Sequence, residues 1–410
     1  MTPVMRQRTW LAILGAAAIG ACLYVALSAP LGSDYPGPTC SGCDYAGPPI
    51  EALIRGHLAT FFATEPFMGS VTLLLRAPIV AMVRLLGGSE LWQYRLGALA
   101  CLLVAAALMW TVARQMARRG QSSLSQLVVV GLALIGPMAF KALQWGHPEE
   151  FVGASLAVGA VLLAAHRRWT LAGVALGLAL ATKQWGVFAV LPVLMLAGHE
   201  RRRVAAVAAG TAALLILPML AGNPARFITQ NFNAGVAGAG VTQTNLWWPF
   251  HVQTGIDATT GAGIYSVPAW MGSIAHPLVL VLGVSLSVVY WRRRRGAHPY
   301  EAVQLLALLF LLRCLLDPLT ISYHHLPFVI ALAVYEGLRR RGLPIVSMWS
   351  AVALWFIAQV VAPSGNLDEL NLAYLAWGLP TAGYLTLLCF APQTALSFRG
   401  PRLEQPPLPA

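Results

Sequence analysis

Charged residues are scarce in this sequence. Of its 410 residues only 10% are charged, whereas soluble domains carry about 25%, and Lys141 and Lys183 are the only lysines. No phosphate-binding loop of the form GxxxxGK followed by Ser or Thr occurs. These absences argue against a soluble protein and against chemistry that uses ATP or a nucleotide sugar inside the cell.

Long apolar runs dominate the composition instead. Hydrophobic residues make up 58% of the chain, and a helix of about 20 apolar residues spans a bilayer. We therefore predict an all-α polytopic membrane protein, a single transmembrane domain over residues 1–410 with about 12 transmembrane helices and juxtamembrane helices on the outer face. The predicted spans are roughly 10–30, 91–113, 122–140, 150–166, 169–183, 185–198, 204–221, 271–291, 300–316, 324–338, 344–362 and 370–391.

The arginines give the predicted orientation. They cluster between spans, as in "ERRR" and "WRRRRG", and basic residues collect on the cytoplasmic side of membrane proteins. The net charge of +12 thus indicates topology and no nucleic-acid partner. With every cluster inside, both termini are cytoplasmic. The chain then has a first outer loop with an amphipathic segment (31–68), a long outer loop (222–270) and a cytoplasmic tail (392–410).

Two segments allow more than one interpretation. "GSVTLLLRAPIVAMVRLL" at 69–86 is apolar enough to span, but a proline and two arginines, Arg76 among them, interrupt it, so we interpret it as an interfacial helix on the outer surface. Cys40 and Cys43 lie in the first outer loop, where either a disulfide or two free thiols fits. A metal site is not expected, because no further ligands have suitable spacing.

Polar and aromatic residues collect on the predicted outer face. They lie in the segments "KALQWGHPEE" (141–150), "TKQWG" (182–186), "QTNLWWPFH" (243–251) and "RCLLDPLTISYHH" (313–325). Each segment alone fits a solvated helix end, and Arg313 could simply pair with Asp317. Together they suggest a site at the outer leaflet. The candidate substrate-binding residues are His147, Glu149, Glu150, Lys183, Gln184, Asn245, Trp247, Arg313, His324 and His325.

Carboxylates, cations and indoles with access to lipid suit the transfer of a sugar from a lipid phosphate. A carboxylate can take the proton of an acceptor hydroxyl, cations can stabilise the departing phosphate, and amides and indoles can hold the sugar. Such a donor enters from the membrane, so the reaction needs no ATP.

The first outer loop carries a resemblance to a known family. "CDYAGPPIEALIRGHLATFF" followed by "EPFMGSVTLLLRAP" resembles that loop in the multi-span GT-C glycosyltransferases, in particular the bacterial, mannosyltransferase-like glycosyltransferase family 87. In those enzymes an acidic residue after the first span precedes an amphipathic helix that ends near a glycine. Asp44 and Gly56 match this pattern, and Asp34 matches it less well. "QWGHPEE", "ATKQWG", "NLWWPF" and "YHHLPF" are also similar to the family's outer turns.

The resemblance implies a GT-C-like fold and an inverting sugar transfer, of mannose or arabinose, from a polyprenyl-phosphate donor. The acceptor would be a glycan or glycolipid at the outer face of a bacterial plasma membrane. Asp44 would be the general base, with Asp34 as the alternative, and neither a metal nor another cofactor would be needed. The competing interpretations are a multi-span transporter or flippase, which would place ionisable groups near the bilayer midplane, and a non-catalytic assembly protein.

Overall fold

The computed structural model describes residues 3–32, 46–64, 69–228, 240–256, 263–293 and 298–391. The helices of the first half are α1 (Pro3–Ser28), α2 (Gly47–Ile54), α3 (Leu58–Thr64), α4 (Ser70–Leu85), α5 (Glu90–Arg118), α6 (Ser123–Leu134), α7 (Pro137–Trp145), α8 (Glu149–Ala165), α9 (Trp169–Thr182), α10 (Val190–Ala197) and α11 (Arg201–Gly222). Those of the second half are α12 (Pro224–Ile228), α13 (Ala269–Arg293), α14 (Glu301–Leu316), α15 (Leu326–Arg339), α16 (Ile345–Phe356) and α17 (Leu367–Phe390).

A small sheet departs from the predicted all-α architecture. Strands β1 (Val252–Ile256) and β2 (Gly263–Ser266) pair antiparallel within the long loop predicted at 222–270. The strand sequences, VQTGI and GIYS, do not alternate strictly between polar and apolar residues, so the period-two pattern does not identify them. The fold is therefore helical with one hairpin.

Helices long and apolar enough to cross a membrane make the chain a multi-pass membrane protein. In the described ranges they form seven stretches, Met5–Ser28, Glu90–Arg118, Ser123–Trp145, Gln184–Gly222, Ala269–Arg293, Ile345–Ser364 and Leu367–Phe390. The twelve spans predicted from the sequence also included α8, α9, α14 and α15. These helices have 17, 14, 16 and 14 residues, short of the about 20 that cross a bilayer, which explains part of the difference.

The short helices form the centre of the bundle. Every residue of α15 from Leu326 to Leu338 is buried, and α14 is buried from Glu301 to Leu311. Helices α14 and α15 pack against each other. Helix α15 also packs against α8, and α8 contacts α9 and α5. A helix that is apolar on every face is stable when other helices surround it.

The bundle has two ends with different polar residues. At the end that we name the upper end, α8, α15 and α17 begin and α9 and α14 end. At the lower end, α14 and α16 begin and α5 and α15 end. The arginine pattern predicts that the upper end is the outer face.

Candidate active site

The turn between α7 and α8 buries three polar side chains. Gly146 ends α7 with a φ of 95°, a left-handed conformation that glycine adopts without strain, and Pro148 directly precedes α8. His147 is 4% exposed, and Glu149 and Glu150 are both 0% exposed. Acidic residues in a first helical turn interact well with the helix dipole. Complete burial of two carboxyls is nevertheless costly without donors.

Glu149 connects two of the segments singled out in the sequence. Its Oε1 lies 2.6 Å from Nδ1 of His147 and 3.1 Å from Nζ of Lys183. Lys183 follows α9 in an extended conformation and is 7% exposed. Tyr323 stacks on His147, with ring centroids 4.6 Å apart. The carboxylate therefore fixes the positions of one imidazole and one ammonium.

Glu150 lies beside this cluster, but in the described part of the chain its carboxyl has no hydrogen-bonding partner of the kind that Glu149 has. Neither of its carboxylate oxygens has a hydrogen-bond donor among the described residues, and the same holds for Oε2 of Glu149. The cations within electrostatic reach of Glu150 are Lys183 and Arg313. Three buried acceptor oxygens thus lie together at the upper end, close to two cations.

The end of α14 supplies the second cation. Nη2 of Arg313 lies 3.5 Å from Oδ2 of Asp317, and Nε2 of His276 lies 3.7 Å from Oδ1. Burial disfavours the ionised form of Asp317, but the contact with His276 and the charge of Arg313 outweigh it and lower the pKa of this carboxyl. The ion pair considered from the sequence as an alternative role for Arg313 is therefore present in the fold.

His324 presents a neutral ring. Its Nδ1 accepts the backbone N–H of Ile321 at 3.1 Å, so the ring proton resides on Nε2. Burial lowers the pKa of His324 well below its ordinary value of 6.5, and the charges of Arg313 and Lys183 lower it further. Near neutral pH His324 can thus donate a hydrogen bond from Nε2 without carrying a charge.

The side chain of His325 has different surroundings from that of His324. It is 0% exposed. Its Nδ1 lies 3.0 Å from the carbonyl oxygen of Ser322, and its Nε2 lies 2.9 Å from the hydroxyl of Tyr374. Both ring nitrogens are thus engaged by the protein, which gives His325 a structural role in this fold. Gln184, also a predicted substrate-binding residue, is exposed at the start of the 3₁₀ turn that follows α9.

Asn245 and Trp247 organise the long loop. The amide of Asn245 donates to the carbonyl oxygens of Thr242 and Pro318, both at 2.7 Å, and its Oδ1 accepts the N–H of Trp247 at 2.9 Å. The indole of Trp247 donates to the carbonyl oxygen of Leu316 at 2.6 Å. These bonds fasten the loop to the end of α14, so both side chains support the site through the backbone.

Four residues of interest in the first outer loop lie outside the described residues. They are Asp44, which the resemblance makes the general base, its alternative Asp34, and the cysteines Cys40 and Cys43. The described chain resumes at Ala46, which is 0% exposed and belongs to the core.

The described ends of that loop pack against the cluster around Glu149. A Cβ added at Gly32 would lie 2.4 Å from Cα of Gly146, next to the buried histidine. At the other end Gly69 has a φ of 76°, and a Cβ there would lie 2.0 Å from the carbonyl oxygen of Ala181, near the buried lysine. Both approaches require glycine, and together they hold the two ends of the loop beside the site.

Arg76 is a site neighbour that the sequence analysis treated only as an interruption of an apolar run. It is 0% exposed on α4, and its Nε lies 3.5 Å from the position of a Cβ on Gly97 of α5. Cys101, one turn further along α5, lies within electrostatic reach of both Arg76 and Glu149. An arginine within an apolar helix is the feature of the sequence that could have indicated a polar site in the bundle.

A metal centre finds no support in the part of the chain that the structure describes. Those residues contain no group of three or more His, Cys, Asp or Glu side chains that could hold a metal ion. The positive charges that act most strongly on the carboxyl of Glu150 are the ammonium of Lys183 and the guanidinium of Arg313.

Comparison with known families decides the class of protein. The profile described as glycosyltransferase family 87 matches residues 72–318, more than half of the chain. The chain belongs to glycosyltransferase family 87. It is therefore a membrane glycosyltransferase, and the resemblance seen in its sequence is confirmed. A transporter or an assembly protein is correspondingly disfavoured.

The family 87 match includes the buried glutamates, Lys183 and Arg313 but ends before His324. Among solved structures, the chain is similar to the crystal structure of ArnT from Cupriavidus metallidurans bound to undecaprenyl phosphate. The identity is 15%, the alignment covers 93% of this chain and 76% of the ArnT chain, and the TM-score is 0.49. None of the curated proteins compared with the chain matches it.

Proposed function

We propose that the protein transfers a hexose or pentose from a polyprenyl-phosphate donor to a hydroxyl of a glycan or glycolipid. The reaction takes place at the outer face of a bacterial plasma membrane, which is the upper end of the bundle. One observation carries the proposal: a family 87 chain places two buried carboxyls, the buried Lys183 and the partly buried Arg313 together at that end. The family resemblance supplies the polyprenyl-phosphate donor.

The cations have the task of stabilising the leaving group. When the bond between the anomeric carbon and the phosphate oxygen breaks, the phosphate keeps the electron pair and gains negative charge. Preorganised positive charge at the edge of the lipid stabilises this charge most in the transition state. Lys183 and Arg313 provide it, and His324 adds a neutral donor at Nε2.

A carboxylate must accept the proton of the acceptor hydroxyl. We assign this step to Asp44, with Asp34 as the alternative, on the family resemblance. As the proton moves to the carboxylate, the acceptor oxygen attacks the anomeric carbon from the face opposite the phosphate, and the configuration inverts. The packing of Gly32 and Gly69 beside the cluster supports this assignment, because those residues flank the loop that contains both aspartates. The proposed reaction uses no metal or other cofactor.

Reconstitution tests the proposal directly. The purified protein in proteoliposomes should convert radiolabelled polyprenyl-phosphate mannose or arabinose, with extracted cell-envelope glycolipids as acceptors, into a new labelled glycoside. A flippase would only move the labelled lipid between leaflets. Labelled lipid that crosses the bilayer without forming a glycoside would overturn the proposed function in favour of transport.

A further inference from the structure

The buried glutamates at the start of α8 differ in how the fold satisfies them. Oε1 of Glu149 has contacts at 2.6 Å and 3.1 Å with His147 and Lys183. Oε2 of Glu149 and both oxygens of Glu150 have no donor from the described residues. All three oxygens belong to side chains that are 0% exposed.

Another buried glutamate gives the standard for comparison. Glu336, at the lower end, is 2% exposed, and its Oε2 accepts the N–H and the hydroxyl of Ser347 at 2.8 Å and 2.7 Å. Its Oε1 lies 3.4 Å from donors on Arg340 and Val346. A buried carboxyl that serves only the fold is thus fully bonded in this protein, as polar groups in protein interiors usually are.

We infer that Glu150, with Oε2 of Glu149, forms a subsite that binds adjacent hydroxyl groups of the donor sugar, and that this sugar carries no carboxylate. This inference rests on the proposed function and assigns the part of the site that selects the sugar. Three buried carboxyl oxygens without a partner among the described residues fit a ligand that brings several donors. A sugar ring with neighbouring hydroxyls does so, since each hydroxyl can donate one hydrogen bond to a carboxyl oxygen.

The chemistry of the subsite also narrows the substrate class. A uronic acid would bring a negative charge beside the carboxylate of Glu149, which is already paired with Lys183 at 3.1 Å, so the inferred sugar carries no carboxylate. A deoxy sugar would leave a buried acceptor unbonded, which is the arrangement that enzymes discriminate against most strongly. Glu149 offers only Oε2 to the sugar, since its Oε1 is committed to Lys183 and His147.

The test separates binding of the lipid phosphate from binding of the sugar. Three probes are decaprenyl phosphate, decaprenyl-phosphate mannose and decaprenyl-phosphate arabinose, and the dissociation constants are measured in nanodiscs for wild type and Glu150→Gln. At least one sugar should strengthen binding over decaprenyl phosphate in the wild type. In Glu150→Gln that sugar-bearing lipid should bind about 10-fold more weakly, while decaprenyl phosphate binds as before.

A matched control and a ligand series complete the test. Glu90→Gln removes an exposed carboxylate from the first turn of α5, at the same end of the bundle, and should leave all dissociation constants unchanged. Monodeoxy analogues of the better-bound sugar should lose affinity in the wild type at two adjacent positions. At least one of these analogues should lose little in Glu150→Gln, because the partner of its missing hydroxyl is already altered.

Three results would overturn the inference. The first is that neither sugar strengthens binding over decaprenyl phosphate. The second is that the deoxy penalties persist unchanged in Glu150→Gln. The third is that this variant weakens binding of all three lipids equally and lowers the melting temperature, which indicates a structural role. Failure of decaprenyl phosphate itself to bind the wild type contradicts the proposed function instead.

Discussion

The two ends of the bundle bury the same kinds of side chain and treat them differently. At the lower end, Glu336 accepts hydrogen bonds from the first turn of α16, and Oε1 of Glu301 lies 3.0 Å from Nη2 of Arg339. At the upper end, Glu150 has no donor in the described chain. Buried polar groups that are fully bonded rigidify a fold, whereas unbonded ones are costly.

The lower end joins its helices through further polar contacts. The hydroxyl of Tyr300 lies 3.0 Å from Nε2 of His166 and 3.2 Å from Oε1 of Gln115. The guanidinium of Arg119 lies 4.6 Å from the ring centre of Tyr300. The side chains at the lower end therefore connect α5, the α8–α9 turn and the start of α14. The carboxyls of Glu336 and Glu301 at the lower end are thus bonded by the fold, whereas that of Glu150 at the upper end is the one to which we assign a ligand.

The largest expected effect at the upper end comes from removal of the proposed base. Asp44→Asn should lower turnover by about 10²–10⁴-fold, because an amide keeps the shape of the side chain but cannot accept the proton of the acceptor hydroxyl. Binding of donor and the elution profile of the protein should stay normal. Turnover is measured by transfer of radiolabel from the polyprenyl-phosphate sugar.

Asp34→Asn serves as the paired control for Asp44→Asn. It should retain most of the wild-type turnover. If Asp34→Asn loses transfer and Asp44→Asn keeps it, the assignment of the base passes to Asp34. If both variants turn over normally, the base does not come from this loop.

The next largest effect concerns the two cations. Lys183→Met and Arg313→Met should each lower turnover by about 10²-fold or more, as removal of one preorganised electrostatic donor does. The lysine also holds Glu149 at 3.1 Å, so its loss affects two groups. Measurement of turnover at saturating donor, together with the dissociation constant of decaprenyl phosphate, separates loss of chemistry from loss of binding.

The pair of Arg313 with Asp317 sharpens that prediction. The two side chains are 3.5 Å apart, and deletion of both members of a buried pair is often tolerated by the fold. The double variant Arg313→Met with Asp317→Leu should therefore fold and still lack normal turnover, because the phosphate has lost its cation. Normal transfer by this double variant would reduce Arg313 to a structural ion pair.

At the lower end the expected effect is on stability. Glu336→Gln should lower the free energy of unfolding by about 1–3 kcal/mol, since an amide nitrogen, which cannot accept, replaces one of the two oxygens that accept from donors of α16. Turnover of the folded fraction should stay within about twofold of wild type. Thermal unfolding in detergent and transfer assays at a permissive temperature check both statements. An unchanged melting temperature would contradict the structural role of this carboxylate.

Glu200→Gln is the matched control for Glu336→Gln. Glu200 pairs with Arg203 at 3.7 Å, but its side chain is 26% exposed. Exposed ion pairs contribute little to stability, so the melting temperature should hardly change.

Much of the upper end could be predicted from the sequence because turn chemistry is local. Gly146 and Pro148 mark the end of one helix and the start of the next, and the charge pattern assigned both buried glutamates and Lys183 to the same face. The match to family 87 over residues 72–318 confirms the family, and it includes "QWGHPEE", "ATKQWG" and "NLWWPF". The role of Asp44 stays a prediction, since it lies outside the described residues.

The roles of the individual polar residues could not be predicted, because they depend on contacts between segments that are distant in the sequence. A polar residue in an outer turn looks the same whether it bonds a substrate or the backbone, so Asn245 and His325 could not be told apart from Glu150. The difference appears only in the partners, which are carbonyl oxygens of distant segments for Asn245. The burial of Arg76 was not predicted, because an interfacial helix at 69–86 would leave an arginine at the membrane surface.

The smallest predicted effect is a pH dependence of stability. Burial lowers the pKa of His298 to about 3 at the lower end and that of His325 to about 4 at the upper end. Below pH 6.5 the unfolded chain therefore binds protons that the folded chain does not, and stability falls as the pH falls toward these values. His298→Gln removes one such group, so the difference in melting temperature between wild type and variant should shift in favour of the variant from pH 7.5 to pH 5.

Nδ1 of His298 accepts the N–H of Tyr300. Loss of this contact costs the variant a constant amount at every pH, so it does not affect how the difference in melting temperature changes with pH. A difference that stays constant over this range would mean that His298 is protonated in the fold.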